Sequence, residues 1–372
     1  MSINKDLAIE LRHDLHKHAE LSLEEHYTKA KLEEFITSNT DLEVVDMGRW
    51  FYAVKRGKNS ELSPVVLRAD FDGICMEETC DIPYVSENKG VAHKCGHDGH
   101  SAVLAYLALE LQNMEVEKDV YLIFQHGEEI GAGGKECADY VDTLKPSYVW
   151  AFHNRSGYEK NMVVYRDGLT QCASKGLIIR FTGAPAHASQ PEDGINPAVP
   201  MSKLVTYSQE VLDKGLFKEM VLGTIINVDI GTKNFGIAAS KGELDITIRA
   251  NVEDEMLMYE KLLKDEAIRL GKEYGTSVDF SEEDPFPETR NHEEAIDVLL
   301  KACKELKLDT YKMIEPWRAS EDFGYYLKNN KGAMVYVGNG VDYPNVHTSD
   351  YDFNDAIMDT VVSLFKELIK LS

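Results

Sequence analysis

No stretch of this chain approaches the roughly 20 consecutive apolar residues that a membrane-spanning helix requires, so a membrane partner is not expected. Positive charge is scarce as well. Forty Lys and Arg face 64 Asp and Glu, for a net charge of −24. That balance argues against nucleic acid and anionic membrane surfaces as partners. The six cysteines (Cys75, Cys80, Cys95, Cys137, Cys172 and Cys303) are scattered and form no C-x-x-C pair. A disulfide framework is therefore not expected, and reduced thiols fit a cytoplasmic protein. Residues 1–12 lack the apolar core of a signal peptide and read as the start of an amphipathic helix. Internal repeats and low-complexity segments are also missing.

What remains is an ordinary globular composition, with 43% hydrophobic and 28% charged residues over 372 positions, long enough for two or three domains. Apolar spacing predicts helices over 3–18 and 25–38, then strands over 50–55 and 64–69. A helix over 103–111, a strand over 120–124, a helix over 137–144 and a strand over 148–152 follow. This alternation points to an α/β sheet. From about 176 to 283 the order becomes β-α-β-β-α-β, the length of one small ferredoxin-like domain. The expected organisation is an α/β domain (1–174 and 286–372) interrupted by a small α+β domain (175–285).

One segment concentrates chemistry: His93-Lys94-Cys95-Gly96-His97-Asp98-Gly99-His100. On a helix, positions i and i+2 do not face each other, but on a tight turn Cys95 and His97 can converge, and Gly96 and Gly99 supply the turn. Thiolate and imidazole together suit zinc-like ions. The bland alternative is a helix N-terminus with incidental histidines. Phe124-Gln125-His126-Gly127-Glu128-Glu129 ends a strand. Adjacent carboxylates there can divide their work, one binding a metal and the other acting as general base. His153 and His347 each follow an apolar segment. Asp70 and Asp72 flank Phe71 at a strand end, as turn residues or as carboxylates that orient a ligating histidine. His187, in a small-residue turn of the inserted domain, has the position of a donor to a developing oxyanion.

This set resembles the family of metal-dependent amidohydrolases and peptidases that includes aminoacylases, hippurate hydrolases, auxin-conjugate hydrolases and related carboxypeptidases. Cys95-Gly96-His97-Asp98-Gly99-His100 matches its C-G-H-D-x-H, and Arg68-Ala69-Asp70-Phe71-Asp72 its R-A-D-x-D. Arg12-His13-Asp14-Leu15-His16-Lys17-His18-Ala19-Glu20-Leu21 is similar to R-x-x-L-H-x-x-P-E-L, with Ala19 in the proline position. His153-Asn154 with Gly157 resembles H-N-x-P-G, and Ser320-Glu321-Asp322-Phe323 resembles G-x-E-D-F. The resemblance implies a metallopeptidase-like domain with a central mixed sheet and a ferredoxin-like lid. It implies two divalent ions (zinc, manganese or cobalt) held by Cys95, His97, Glu129, His153 and His347. Glu128 would be the general base, Asp72 an orienting carboxylate, and His187 a lid histidine that reaches a partner subunit, which implies a homodimer through the lid. Asn234 and Arg249 are the expected substrate contacts. The lid departs from the family in its loop, Gly183-Ala184-Pro185-Ala186-His187-Ala188, and has no clear match to a second signature near Asn234. The expected activity is hydrolysis of the amide bond of N-acyl amino acids or short peptides with a free carboxylate. The alternatives are a di- or aminopeptidase, and a metal-stabilised binding protein without catalysis.

Overall fold

The strand Val65–Asp70 is buried at every position, and so is Val120–Gln125, the mark of strands covered on both faces. In the computed structural model, which describes residues 3–372, they pair in parallel with Asp70 opposite Gln125. They belong to an eight-stranded mixed sheet. Its order is Glu43–Asp46, Phe51–Lys55, Val120–Gln125, Val65–Asp70, Tyr148–Ser156, Gly332–Gly340, Val163–Tyr165 and Thr310–Lys312. Because Val65–Asp70, Val120–Gln125 and Tyr148–Ser156 run parallel, their carboxyl ends meet on one edge. Open α/β sheets build their sites at that edge.

The helix His97–Leu111 is apolar nearly all round, and of its residues only Glu110 is not buried. It lies on the sheet and is covered in turn by Ile3–Lys17 and Met358–Leu371. A helix buried on all sides is held by packing rather than by an amphipathic stripe. Leu104, Leu107, Ala108 and Leu111 join Phe51, Leu67, Phe124, Phe152 and Phe365 in one apolar core.

The smaller unit follows the order β-α-β-β-α-β. Its four-stranded antiparallel sheet has the order Val221–Ile230, Lys241–Ala250, Ala173–Thr182, Ser277–Phe286. Strand Lys241–Ala250 alternates buried Leu244, Ile246 and Ile248 with outward polar residues. The buried set packs on Met201 and Leu204 of helix Ala198–Glu210 and on Tyr259, Leu263 and Leu270 of helix Glu253–Tyr274.

Several boundaries differ from the sequence reading, among them the start of the helix expected over 137–144, which begins at Gly133. The helix expected over 103–111 begins at His97, because Gly96 adopts φ +97° and its carbonyl accepts the N–H groups of Gly99 and His100. The strand expected to stop at 152 runs to Ser156, since its parallel neighbour Gly332–Gly340 continues the ladder past His153. The chain divides into Met1–Thr170, Thr289–Pro316 and Asp322–Ser372 on one side and Gln171–Glu288 with Trp317–Glu321 on the other. The segment 317–321 thus joins the small unit rather than the large one. Arg249 donates to the Arg318 carbonyl, and Ser174 and Ser320 share a hydrogen bond at 2.7 Å.

Candidate metal centre

Four chain segments deliver their chemistry to the carboxyl edge of the large sheet. Just past Val65–Asp70 comes Asp72, and just past Val120–Gln125 come Glu128 and Glu129. His153 lies within Tyr148–Ser156, and Cys95 and His97 bracket Gly96 at the start of the buried helix. A fifth segment, the loop after Gly332–Gly340, brings His347.

The donors converge. Cys95 Sγ lies 3.3 Å from His153 Nε2. His97 Nε2 lies 3.7 Å from Glu129 Oε1 and 3.8 Å from Glu128 Oε2. His347 Nε2 is 3.5 Å from Glu129 Oε2. Cys95, His97 and His153 each place a ligand atom within 4.8 Å of the others, and so do Cys95, Glu129 and His347. Cys95 belongs to both triads.

A divalent cation fits this set. His97 Nε2 and Glu129 Oε1 are buried with no hydrogen-bond partner. Buried polar atoms are normally paired, and buried charges are paired or coordinate a metal. Thiolate, imidazole and carboxylate are the usual ligands of zinc and its borderline neighbours.

The surrounding hydrogen bonds fix which atoms face inward. Asp72 Oδ1 accepts from His97 Nδ1 at 3.0 Å, which leaves Nε2 toward the cluster. Asp72 Oδ2 accepts from Ser22 Oγ at 2.7 Å and from the Glu129 N–H at 2.9 Å. One carboxylate therefore sets both a histidine and the Glu128–Glu129 loop. His100 is different. Its Nδ1 engages Asp70 and its Nε2 engages Asn154 Oδ1, both at 2.6 Å, so neither nitrogen is left over. Arg68 then ties Asp70 to Asp322, at 2.6 Å to each, joining two distant motifs of the sequence.

Electrostatics separate the histidines. Burial, reinforced by His100 and His97, pushes the His153 pKa well down, which favours the neutral ring. For His97, burial opposes protonation, but Asp70, Cys95 and Asp72 overcome it and raise its pKa well above the usual value. Burial and Glu129 push the Cys95 thiol up. Hydrogen bonds to Cys95 and Glu129 raise His347 to about 11. Thiol and imidazolium bind a cation only after deprotonation, so metal loading of this set releases protons.

Gly96 is required twice over. Its φ of +97° is costly for any other residue, and a Cβ there would meet Asn154 Oδ1 at 2.5 Å and Tyr351 Oη at 2.8 Å. Gly96→Ala is expected to lower stability by at least about 1–3 kcal/mol. A denaturant midpoint equal to that of the native chain would refute the backbone argument.

His187, Asn234 and Arg249 belong to the small unit. His187 is exposed, its Nδ1 2.7 Å from Ser189 Oγ. Its loop zips onto the loop of Asn234. The Ala188 N–H donates to the Gly236 carbonyl, the Ala238 N–H donates to the Ala186 carbonyl, and Asn234 Oδ1 accepts from the Gly236 N–H. Arg249 donates to the Arg318 carbonyl and to Ser320 Oγ at 2.6 Å. His126 is buried 3.6 Å from Glu136 Oε2, and burial lowers its pKa.

Sequence reasoning missed a second polar cluster beside the centre. Asp98 accepts from His16 at 2.8 Å and from Arg12 at 3.4 Å, and His16 Nε2 reaches Glu78 at 2.9 Å. Arg12 also donates to Asp352 at 2.6 Å. The signal was present, because Arg12, His16 and Asp98 are all motif positions, but nothing in the sequence pairs them.

Peptidase family M20/M25/M40 matches the chain over residues 66–371. A hippurate hydrolase of Campylobacter jejuni is 26% identical over 364 residues, covering 96% of this chain and 94% of its own. An N-acetyldiaminopimelate deacetylase of Bacillus pumilus is 27% identical over 377 residues, covering 99% and 98%. Among solved structures, a dinuclear metal-binding M20 peptidase of Bacillus subtilis superposes with a TM-score of 0.81 at 22% identity, over 98% of this chain and 97% of that one.

Proposed function

The chain belongs to peptidase family M20/M25/M40 and is a metal-dependent amidohydrolase or peptidase, and on that premise we propose that it hydrolyses the amide bond of N-acyl amino acids, or of short peptides with a free carboxylate, at a two-metal centre. The observation that carries this reading is the pair of donor triads that share Cys95, with Glu128 beside them. Cys95, His97 and His153 would hold one divalent ion, and Cys95, Glu129 and His347 would hold the other. Zinc, manganese and cobalt all suit these ligands. When bound, such ions polarise a carbonyl oxygen and acidify water.

Glu128 does the proton work. Its side chain is almost fully buried and sits at the cluster rather than in solvent. Glu128 accepts a proton as water adds to the amide carbonyl, then returns it to the nitrogen as the C–N bond breaks. The products are a carboxylate and an amine, so one water is consumed per bond. His187 of the partner subunit would donate its N–H to the carbonyl oxygen as negative charge develops there. Arg249 and Asn234 hold the free carboxylate of the substrate, and the small unit joins two chains in a cytoplasmic homodimer. The substrate class is supported by the names of the two relatives, which specify hippurate and N-acetyldiaminopimelate.

A matched panel tests the substrate class. Zinc-, manganese- or cobalt-loaded protein is expected to hydrolyse N-acetyl and N-benzoyl amino acids without requiring a free α-amine. Strict dependence on that amine would transfer the reading to an aminopeptidase. A binding protein without catalysis has no use for a buried carboxylate beside its ligands, and Glu128 argues against that alternative.

A further inference from the structure

Lys94, the residue before Cys95, is fully buried. Lysines are almost never fully buried unless paired, and this one has several partners. Its Nζ donates to Glu78 Oε1 and, at 2.7 Å, to the Tyr351 carbonyl, and it lies 3.2 Å from Cys80 Sγ. Its own carbonyl accepts the His347 N–H at 2.6 Å. Lys94 thus grips the 347–351 loop at both ends, through its backbone at His347 and its ammonium at Tyr351. The neighbouring strip adds to the hold, because the Thr79 N–H donates to the Ser349 carbonyl at 2.9 Å.

His347 needs such a hold. Its side chain is half exposed, and its φ is +60°, a left-handed conformation uncommon for a residue other than glycine. Such conformations persist where the surroundings over-determine them. The other histidines of the cluster have separate supports: His97 has Asp72, and His153 has its strand and a contact of Nδ1 with the Asn154 carbonyl at 2.7 Å.

We propose that Lys94 is a positioning residue that fixes His347 against Cys95 and Glu129, and so governs the affinity of one metal ion and not of the other. This rests on the reading above that His347 is a ligand. Substitution of Lys94 removes the anchor at Tyr351 and the counter-charge of Glu78, while the supports of His97 and His153 stay in place.

The test is zinc content per chain by elemental analysis, with a zinc titration of each site, in the native protein, Lys94→Met, His347→Ala and the double variant. Expected are two zinc ions in the native protein and one in His347→Ala. Lys94→Met should bind its first zinc as tightly as the native chain and its second about 10–100-fold more weakly. The double variant should lose nothing beyond His347→Ala, since groups acting through one another are non-additive. Equal weakening of both zinc ions in Lys94→Met, together with a lower melting temperature of the metal-free protein, is the pattern of a merely structural lysine and overturns the proposal. Two unchanged zinc affinities overturn it as well. If Lys94→Met does not fold, Glu78→Gln removes the ammonium's carboxylate partner and is expected to give the same selective loss; any other pattern there overturns the proposal. Two tightly bound zinc ions in His347→Ala refute the ligand reading itself, which is distinguishable from failure of Lys94 alone.

Discussion

Replacing Glu128 by glutamine is expected to cut kcat by about 10²–10⁴-fold, the usual contribution of a positioned general base, while metal content stays at the native level. The geometry gives the reason. Glu128 Oε2 sits 3.8 Å from His97 Nε2 and converges with His97 and Glu129, but it is not among the ligands assigned to either ion. Glutamine keeps the volume and a carbonyl oxygen but cannot take the proton. A stopped assay with metal-loaded protein, matched to elemental analysis of the same preparation, reads both quantities. Retained turnover in fully loaded Glu128→Gln would show that some other group accepts the proton. Loss of metal in step with loss of turnover would instead make Glu128 a ligand.

The second large effect belongs to Cys95. Because it is common to both triads, Cys95→Ala leaves each with two donors. Both ions should be lost at ordinary metal concentrations, and turnover with them. Metal affinity should fall by more than the about 10–100-fold that removal of a supporting partner costs. Cys95 is buried at the start of a helix whose core contacts lie further along. The metal-free variant should therefore keep the native circular dichroism. Two ions per chain in Cys95→Ala would refute the sharing of this thiolate.

Much of this centre was legible because the motifs are short and local. Cys95, His97, Glu128 and Glu129 sit within their own segments, and strand ends in an α/β sheet face one edge. Long-range pairing was not legible. The links of Arg68 to Asp322 and of Arg12 to Asp352 join residues hundreds of positions apart, and no local pattern specifies them. Lys94 escaped notice because a charged side chain reads as solvent-facing until its partners are seen. The start of the buried helix was placed late because glycine, histidine and aspartate are weak helix formers. In place, their helix is dictated by the left-handed turn at Gly96 and by the tight packing of Gly99 against Phe353. The small unit was readable in its element order because two of its strands, Ala173–Thr182 and Lys241–Ala250, alternate along most of their length. The return of 317–321 to that unit depends on contacts with Arg249 and Ser174, which leave no periodic trace.

The central claim is a two-metal centre that hydrolyses amides, and metal content measured together with turnover tests it most directly. Protein stripped with a chelator and reloaded with zinc, manganese or cobalt is analysed for metal per chain and assayed on N-acyl amino acids. Two ions per chain, with amide hydrolysis that appears on loading and disappears on stripping, is the predicted result. No stoichiometric metal and no turnover under any loading would contradict the account and leave the Cys95 cluster a structural feature of a binding protein.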